Sequence, residues 1–162
     1  MKTLQSKIGA GIVILFMLLV GTSAKTYAHC EIPCGIYADS LRVVLLSEHI
    51  TTIEKSMKMI TELSSAEKVD YNQLVRWITN KEDHAKKIQD IATQYFMFQR
   101  VKVSDDPEVQ KKSVEQLAVL HEICVYAMKA KQTTDLTYID KLNEAVHNFS
   151  HLYFGKETHH HH

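Results

Sequence analysis

Residues 39 to 63 read DSLRVVLLSEHITTIEKSMKMITEL. Within them Leu46, Ile50, Ile53, Met57 and Ile60 recur at spacings of three and four, which places them on one face of an α-helix. Asp39 is the candidate N-cap of a helix from about Ser40 to Leu63, and Ser64, Ser65 and the residues up to Val69 read as a loop. The same periodicity returns three times. A second helix is expected from about Tyr71 to Arg100, capped by Asp70, with Leu74, Ile78, Ile88, Ile91 and Tyr95 inward and Trp77 and His84 near that stripe. A third opens at Asp106-Pro107, a cap followed by proline at the first helical position, and runs to about Lys131. Its apolar face is read as Val114, Leu117, Leu120, Cys124 and Met128. A fourth follows Asp135 and stops at Gly155, with Leu136, Ile139, Leu142, Val146, Phe149 and Tyr153 as its stripe.

No stretch alternates with a period of two, there is no internal repeat, and the chain holds only five glycines and two prolines, both prolines outside the helical patterns. The expected fold is all-α: an up-down-up-down four-helix bundle preceded by an extended N-terminal hook. Such a bundle is a scaffold and implies no function by itself. No basic patch or nucleic-acid motif occurs, so nucleic acid is not an expected partner.

Residues 1 to 28 contain Lys2, Lys7 and Lys25 and no acidic residue. Ile8 to Val20 is almost unbroken apolar sequence, and Thr22, Ser23 and Ala24 follow it. A basic start, an apolar stretch and small residues make a secretory signal peptide. The 13 apolar residues are fewer than the roughly 20 that a spanning helix needs. Export to a periplasmic or extracellular site is expected, with removal by signal peptidase and no stable membrane association afterwards; a retained anchor is the alternative. Cleavage after Ala24 and after Ala28 both satisfy the small-residue rule. Lipidation is disfavoured because His29, not a small residue, precedes Cys30. Cleavage after Ala28 leaves 134 residues, enough for one domain with a core, carrying 16 basic and 19 acidic residues. The expected organisation is a leader over 1–28, one domain over 29–158, and a tail at 159–162. His159 to His162 read as a tag remnant in preference to a native metal-scavenging tail.

The residues after Ala28 are His29-Cys30-Glu31-Ile32-Pro33-Cys34-Gly35-Ile36-Tyr37. Two cysteines on a short loop of an exported protein serve a disulfide, a metal site or a redox couple, and an oxidising compartment by itself favours the disulfide. The neighbours favour metal. Pro33 stiffens the turn, Gly35 permits close backbone approach, and Tyr37 brings a phenol near. After cleavage at Ala28, the His29 amine, the Cys30 backbone nitrogen and the Cys30 and Cys34 thiolates supply four donors that can share one plane, with the His29 ring within reach of an axial position. Square-planar nitrogen and sulfur ligation suits nickel(II) or copper(II), whereas zinc prefers a tetrahedral set. Anionic donors stabilise the higher oxidation state and make a one-electron cycle accessible.

This string resembles the N-terminal hook of the nickel superoxide dismutase family, H-C-x-x-P-C-G-x-Y, matching at His29, Cys30, Pro33, Cys34, Gly35 and Tyr37. A looser likeness continues through Asn72-Gln73-Leu74, Lys81-Glu82 and Tyr95-Phe96. The resemblance implies cleavage after Ala28, one nickel ion per subunit, and dismutation of superoxide to dioxygen and hydrogen peroxide by Ni(II)/Ni(III) cycling. It implies that His29, Cys30 and Cys34 are the ligands, with the His29 ring axial in the oxidised form and released on reduction. Tyr37 would guard the open face without ligating. Glu31 stands where many members carry aspartate, the Ile32–Pro33 bond is expected to be cis, and a homohexamer is expected. One departure stands out. Members fix the axial imidazole with a glutamate on the first helix and an arginine on the second, and those positions fall here on Val44 and His84. Glu48, Glu82 and His84 are the candidate substitutes.

The remaining candidates read as structural. Cys124 sits on an apolar stripe and packs as a small hydrophobe. His49, His121, His147 and His151 are scattered on helices; His147 and His151, four apart, could grip a metal, but no carboxylate motif accompanies them. Tyr95, Phe96, Met97 and Phe98 read as packing, and the absence of C-x-x-C-H argues against covalent haem. Two other functions compete: an exported, non-enzymatic nickel- or copper-binding bundle, which would bind metal without turnover, and a structural protein with a Cys30–Cys34 disulfide, which would have a mass two daltons below the reduced chain.

Overall fold

A computed structural model describes residues 38–155. Helix α1 spans Asp39–Ser65 and α2 spans Tyr71–Asp90, continuing without a break as a π-helical segment, Ile91–Met97. Helix α3 spans Pro107–Gln132 and α4 spans Thr137–Phe154. Helix α1 packs on α2 and α4, and α3 packs on the same two, which makes the expected four-helix bundle. No strand occurs among the described residues. No helix of theirs is long and apolar enough to cross a membrane.

Local chemistry sets most of the helix ends. The Asp70 carboxylate accepts from the Gln73 N–H at 3.1 Å, capping α2. Asp106 accepts from the N–H groups of Glu108 and Val109 at 2.9 and 3.3 Å, ahead of Pro107. Gly155 takes a left-handed φ of 81° and returns its N–H to the His151 carbonyl, ending α4. Helix α1 departs from expectation. It extends to Ser65, and its N-cap is Ala38, which has no side-chain acceptor. Asp39 lies inside the first turn, and its carboxylate is used elsewhere.

The core forms where the four stripes meet. Leu46, Ile50, Ile53 and Met57 of α1 are buried, as are Ile139, Leu142, Val146 and Phe149 of α4. Phe96 lies edge-on to Tyr95, Phe149 and Tyr153, with centroids 5.0, 4.7 and 5.4 Å away. Three helix faces differ from the sequence periodicity. Ile78 of α2 is 40% exposed, and Leu136 is 38% exposed at the mouth of α4. On α3, Val114, Leu117 and Met128 face outward, while Ser113, Gln116, Leu120, Ile123, Ala127 and Ala130 are buried. The true face is turned by about one residue. Small side chains such as Ala127 and Ala130 allow close helix approach, and Gln116 reaches the Leu152 carbonyl at 3.4 Å.

The π segment accounts for the end of α2. Phe98 returns its N–H to Thr93, and Val101 to Phe96, five residues back in each case. This wider turn carries the consecutive Tyr95 and Phe96, both buried.

Candidate functional site

His29, Cys30, Cys34 and Tyr37 lie outside the described residues, as do Glu31 and the Ile32–Pro33 bond. The structure shows the point where the chain leaves that string and enters the bundle. There Asp39 meets three elements at once. Its Oδ1 accepts from the Tyr95 hydroxyl and, at 2.9 Å, from Arg100 Nε; its Oδ2 accepts from the Tyr153 hydroxyl at 2.7 Å. Arg100 Nη2 also donates to the Tyr95 oxygen at 3.0 Å. The guanidinium groups of Arg42 and Arg100 lie 5.2 and 4.8 Å from the Tyr95 ring centre.

The electrostatics follow from this packing. Burial opposes the Asp39 charge, but the hydrogen bonds from Tyr95 and Tyr153 and the charge of Arg100 outweigh it and hold the carboxyl below its ordinary value. Burial and the facing carboxylate push both tyrosines up, so both stay protonated donors. The first turn of α1 is thereby tied to α4 and to the stretch around Tyr95 and Arg100. Only Ala38 separates this knot from Tyr37.

Beside the knot opens a cavity of about 420 Å³, lined by Arg100, Lys102, Lys112, Ser113, Gln116 and Tyr153 with Val109. Three lining residues are cationic and none is acidic. A recess lined by one sign of charge raises the local concentration of the opposite ion.

The two positions that the resemblance assigns to the outer shell hold Val44 and His84. Val44 is 51% exposed. His84 meets another histidine: its Nδ1 is 3.1 Å from His49 Nδ1. Burial lowers both imidazole pKa values, with the His84 charge next for His49 and Lys87 acting on both. Glu48 is exposed, and Glu82 lies 3.9 Å from Lys81 Nζ. Cys124 is partly buried against the core, and burial raises its thiol pKa. His147 and His151 are exposed on α4 with their Nε2 atoms 3.0 Å apart. Among the described residues no three His, Cys, Asp or Glu side chains converge as a metal site.

Sequence periodicity alone does not mark Asp39, Arg100 and Tyr153 as site residues. The available signal was an acidic residue two positions after Tyr37, with tyrosines at the ends of two other apolar stripes.

The residue types at 29–34 suit a nickel site: an imidazole at His29, soft thiol donors at Cys30 and Cys34, and a terminal amine if the chain is cut after Ala28. Comparison with curated proteins gives no match, and neither does comparison with solved structures. The model of the nickel-containing superoxide dismutase family matches residues 24–157, most of the chain. With an all-α bundle of four helices under that match, the chain belongs to the nickel-containing superoxide dismutase family.

Proposed function

We propose that this chain dismutates superoxide with one nickel ion per subunit, held by His29, Cys30 and Cys34 at an N-terminus created by cleavage after Ala28. The observation that carries the reading is the complete hook string, placed one residue before a helix start that is tied down through Asp39. When bound, the nickel supplies a one-electron Ni(II)/Ni(III) couple. The protein contributes the rest. The His29 amine ligates only as a free terminus, so proteolysis and metal binding are coupled. Tyr37 guards the open face, and Asp39 fixes the stem on which Tyr37 stands. The cationic recess of Arg100, Lys102 and Lys112 favours an anionic substrate near that stem.

Export through signal peptidase to a periplasmic or extracellular site is part of the same proposal. So is a homohexamer. Supporting the assembly, Tyr71, Val75 and Ile78 form an outward apolar row on α2, and Val114, Leu117 and Met128 another on α3.

The replacement of the outer-shell pair by Val44 and His84 favours a second reading, a nickel- or copper-binding bundle without turnover. One experiment separates the two. Protein beginning at His29 is refolded under reducing conditions with one equivalent of nickel, beside a copy carrying one added residue before His29. Fast superoxide loss only with nickel and the native terminus is the expected result. Full activity in the extended copy would refute the ligand assignment. Bound nickel without turnover would establish the carrier reading, and a chain two daltons light and indifferent to nickel would establish the Cys30–Cys34 disulfide.

A further inference from the structure

We propose that His49 and His84 form a second binding site for a borderline divalent cation such as zinc, copper(II) or nickel(II), with ligands other than those of the hook. The two imidazoles come from different helices, α1 and α2, and their Nδ1 atoms face each other at 3.1 Å. The ring centres are 4.9 Å apart and the planes nearly perpendicular, at 81°. Packing holds this arrangement. Leu46 and Ile50 flank His49, Ala85 and Ile88 flank His84, and all four are buried in the core. The rings therefore sit on a fixed helix–helix seam.

The separation is that of a chelating pair. Two nitrogens each about 2.0–2.1 Å from one ion lie about 2.9 Å apart at a right angle and about 3.3 Å apart at a tetrahedral one. The observed distance falls between these. Ligation also requires uncharged imidazoles, and burial favours the neutral form of both. The charges acting on the pair are Glu48, Asp83 and Lys87, two acidic and one basic. Among the described residues no third protein ligand converges on the pair. Imidazole donors select zinc, copper or nickel over magnesium and calcium. The pair His147 and His151 has a similar nitrogen separation, but both residues are exposed and lie on a single helix, bridging no seam between helices.

The competing account of the same geometry is a hydrogen bond in which one Nδ1–H donates to the other ring. Nitrogen-15 NMR of the histidine rings in the whole mature chain distinguishes the two, with zinc added past the capacity of the hook. The expected result is that His49 Nδ1 and His84 Nδ1 move together to metal-bound shifts. His84→Asn then abolishes the His49 response, and His49→Gln, a second variant from the other side of the seam, abolishes that of His84. Zinc also raises the melting temperature of the parent more than that of either variant. Retention of a shared Nδ1 proton while zinc fills other sites would overturn the proposal, as would an unchanged His49 response in His84→Asn. Because the readout is ring-resolved and needs no dismutase activity, it is independent of the hook assignment.

Discussion

A carboxylate in the first turn of a helix ordinarily faces water and gains a few tenths of a kcal/mol from the helix dipole. Asp39 instead accepts hydrogen bonds from Tyr95, Tyr153 and Arg100. Bonds to a charged partner are worth about 1.5–3 kcal/mol each, so Tyr153→Phe is expected to cost about 2 kcal/mol at neutral pH. The penalty depends on pH in a defined direction. Because the folded carboxyl lies below its ordinary value of 3.8, its contribution is fully present above that pH and is lost as pH falls through the folded value. Denaturation of parent and variant at pH 7 and near pH 2 checks this: the gap is large at pH 7 and narrows in acid. An equal gap at both would assign the loss to packing around Phe96. None of this was legible in the sequence. Local rules cast Asp39 as a cap, because an aspartate before an apolar stripe usually is one. Its true partners lie 56, 61 and 114 positions away. The facing of His49 and His84 was hidden for the same reason, since it depends on the register between two helices.

The helices themselves were legible because their ends are written in nearby residues. Asp70, Asp106-Pro107 and Gly155 act within four positions of themselves, and each does in the structure what its type implies. The face of α3 was not legible. Val114, Leu117 and Met128 are the larger apolar residues and were read as inward, yet Ala127 and Ala130 occupy the interior, where helix approach leaves room for little more than a methyl group. The π segment at Ile91–Met97 likewise has no local signature in this chain. Another helix end is closed from a distance. Lys81 of α2 is 5% exposed, and its ammonium donates to the carbonyls of Lys131 and Thr133 at the end of α3. Those carbonyls have no partner within the helix, and a cation there also meets the negative end of the dipole. Lys81→Met keeps the buried stem and removes the donors, so the expected loss is about 2–3 kcal/mol. Amide exchange should quicken at the α3–α4 turn ahead of the rest of the bundle. Uniform quickening would mean that Lys81 acts on the core as a whole and not as a cap.

At the scale of the molecule, apolar residues remain on the outside after the core is complete. Val75 is 59% exposed at the centre of the row Tyr71, Val75 and Ile78. A charge at such a position usually changes the stability of a monomer by no more than about 0.5 kcal/mol. Val75→Glu is therefore expected to leave helicity and unfolding midpoint unchanged while reducing the sedimenting mass of the assembled protein. An assembly of unchanged size would remove this face from the proposed subunit contacts. The bundle also closes on itself between Asp39 and Tyr153, 114 positions apart in sequence. A chain made from its N-terminus holds the hook string long before it holds the residue that secures its stem. Until α4 is made and docked, Asp39 has only Tyr95 and Arg100 to hold it. A secured stem is thus a late product of folding, available only once α4 has docked, and a chain cut short before α4 keeps three of the four helices but loses the Tyr153 hold on Asp39.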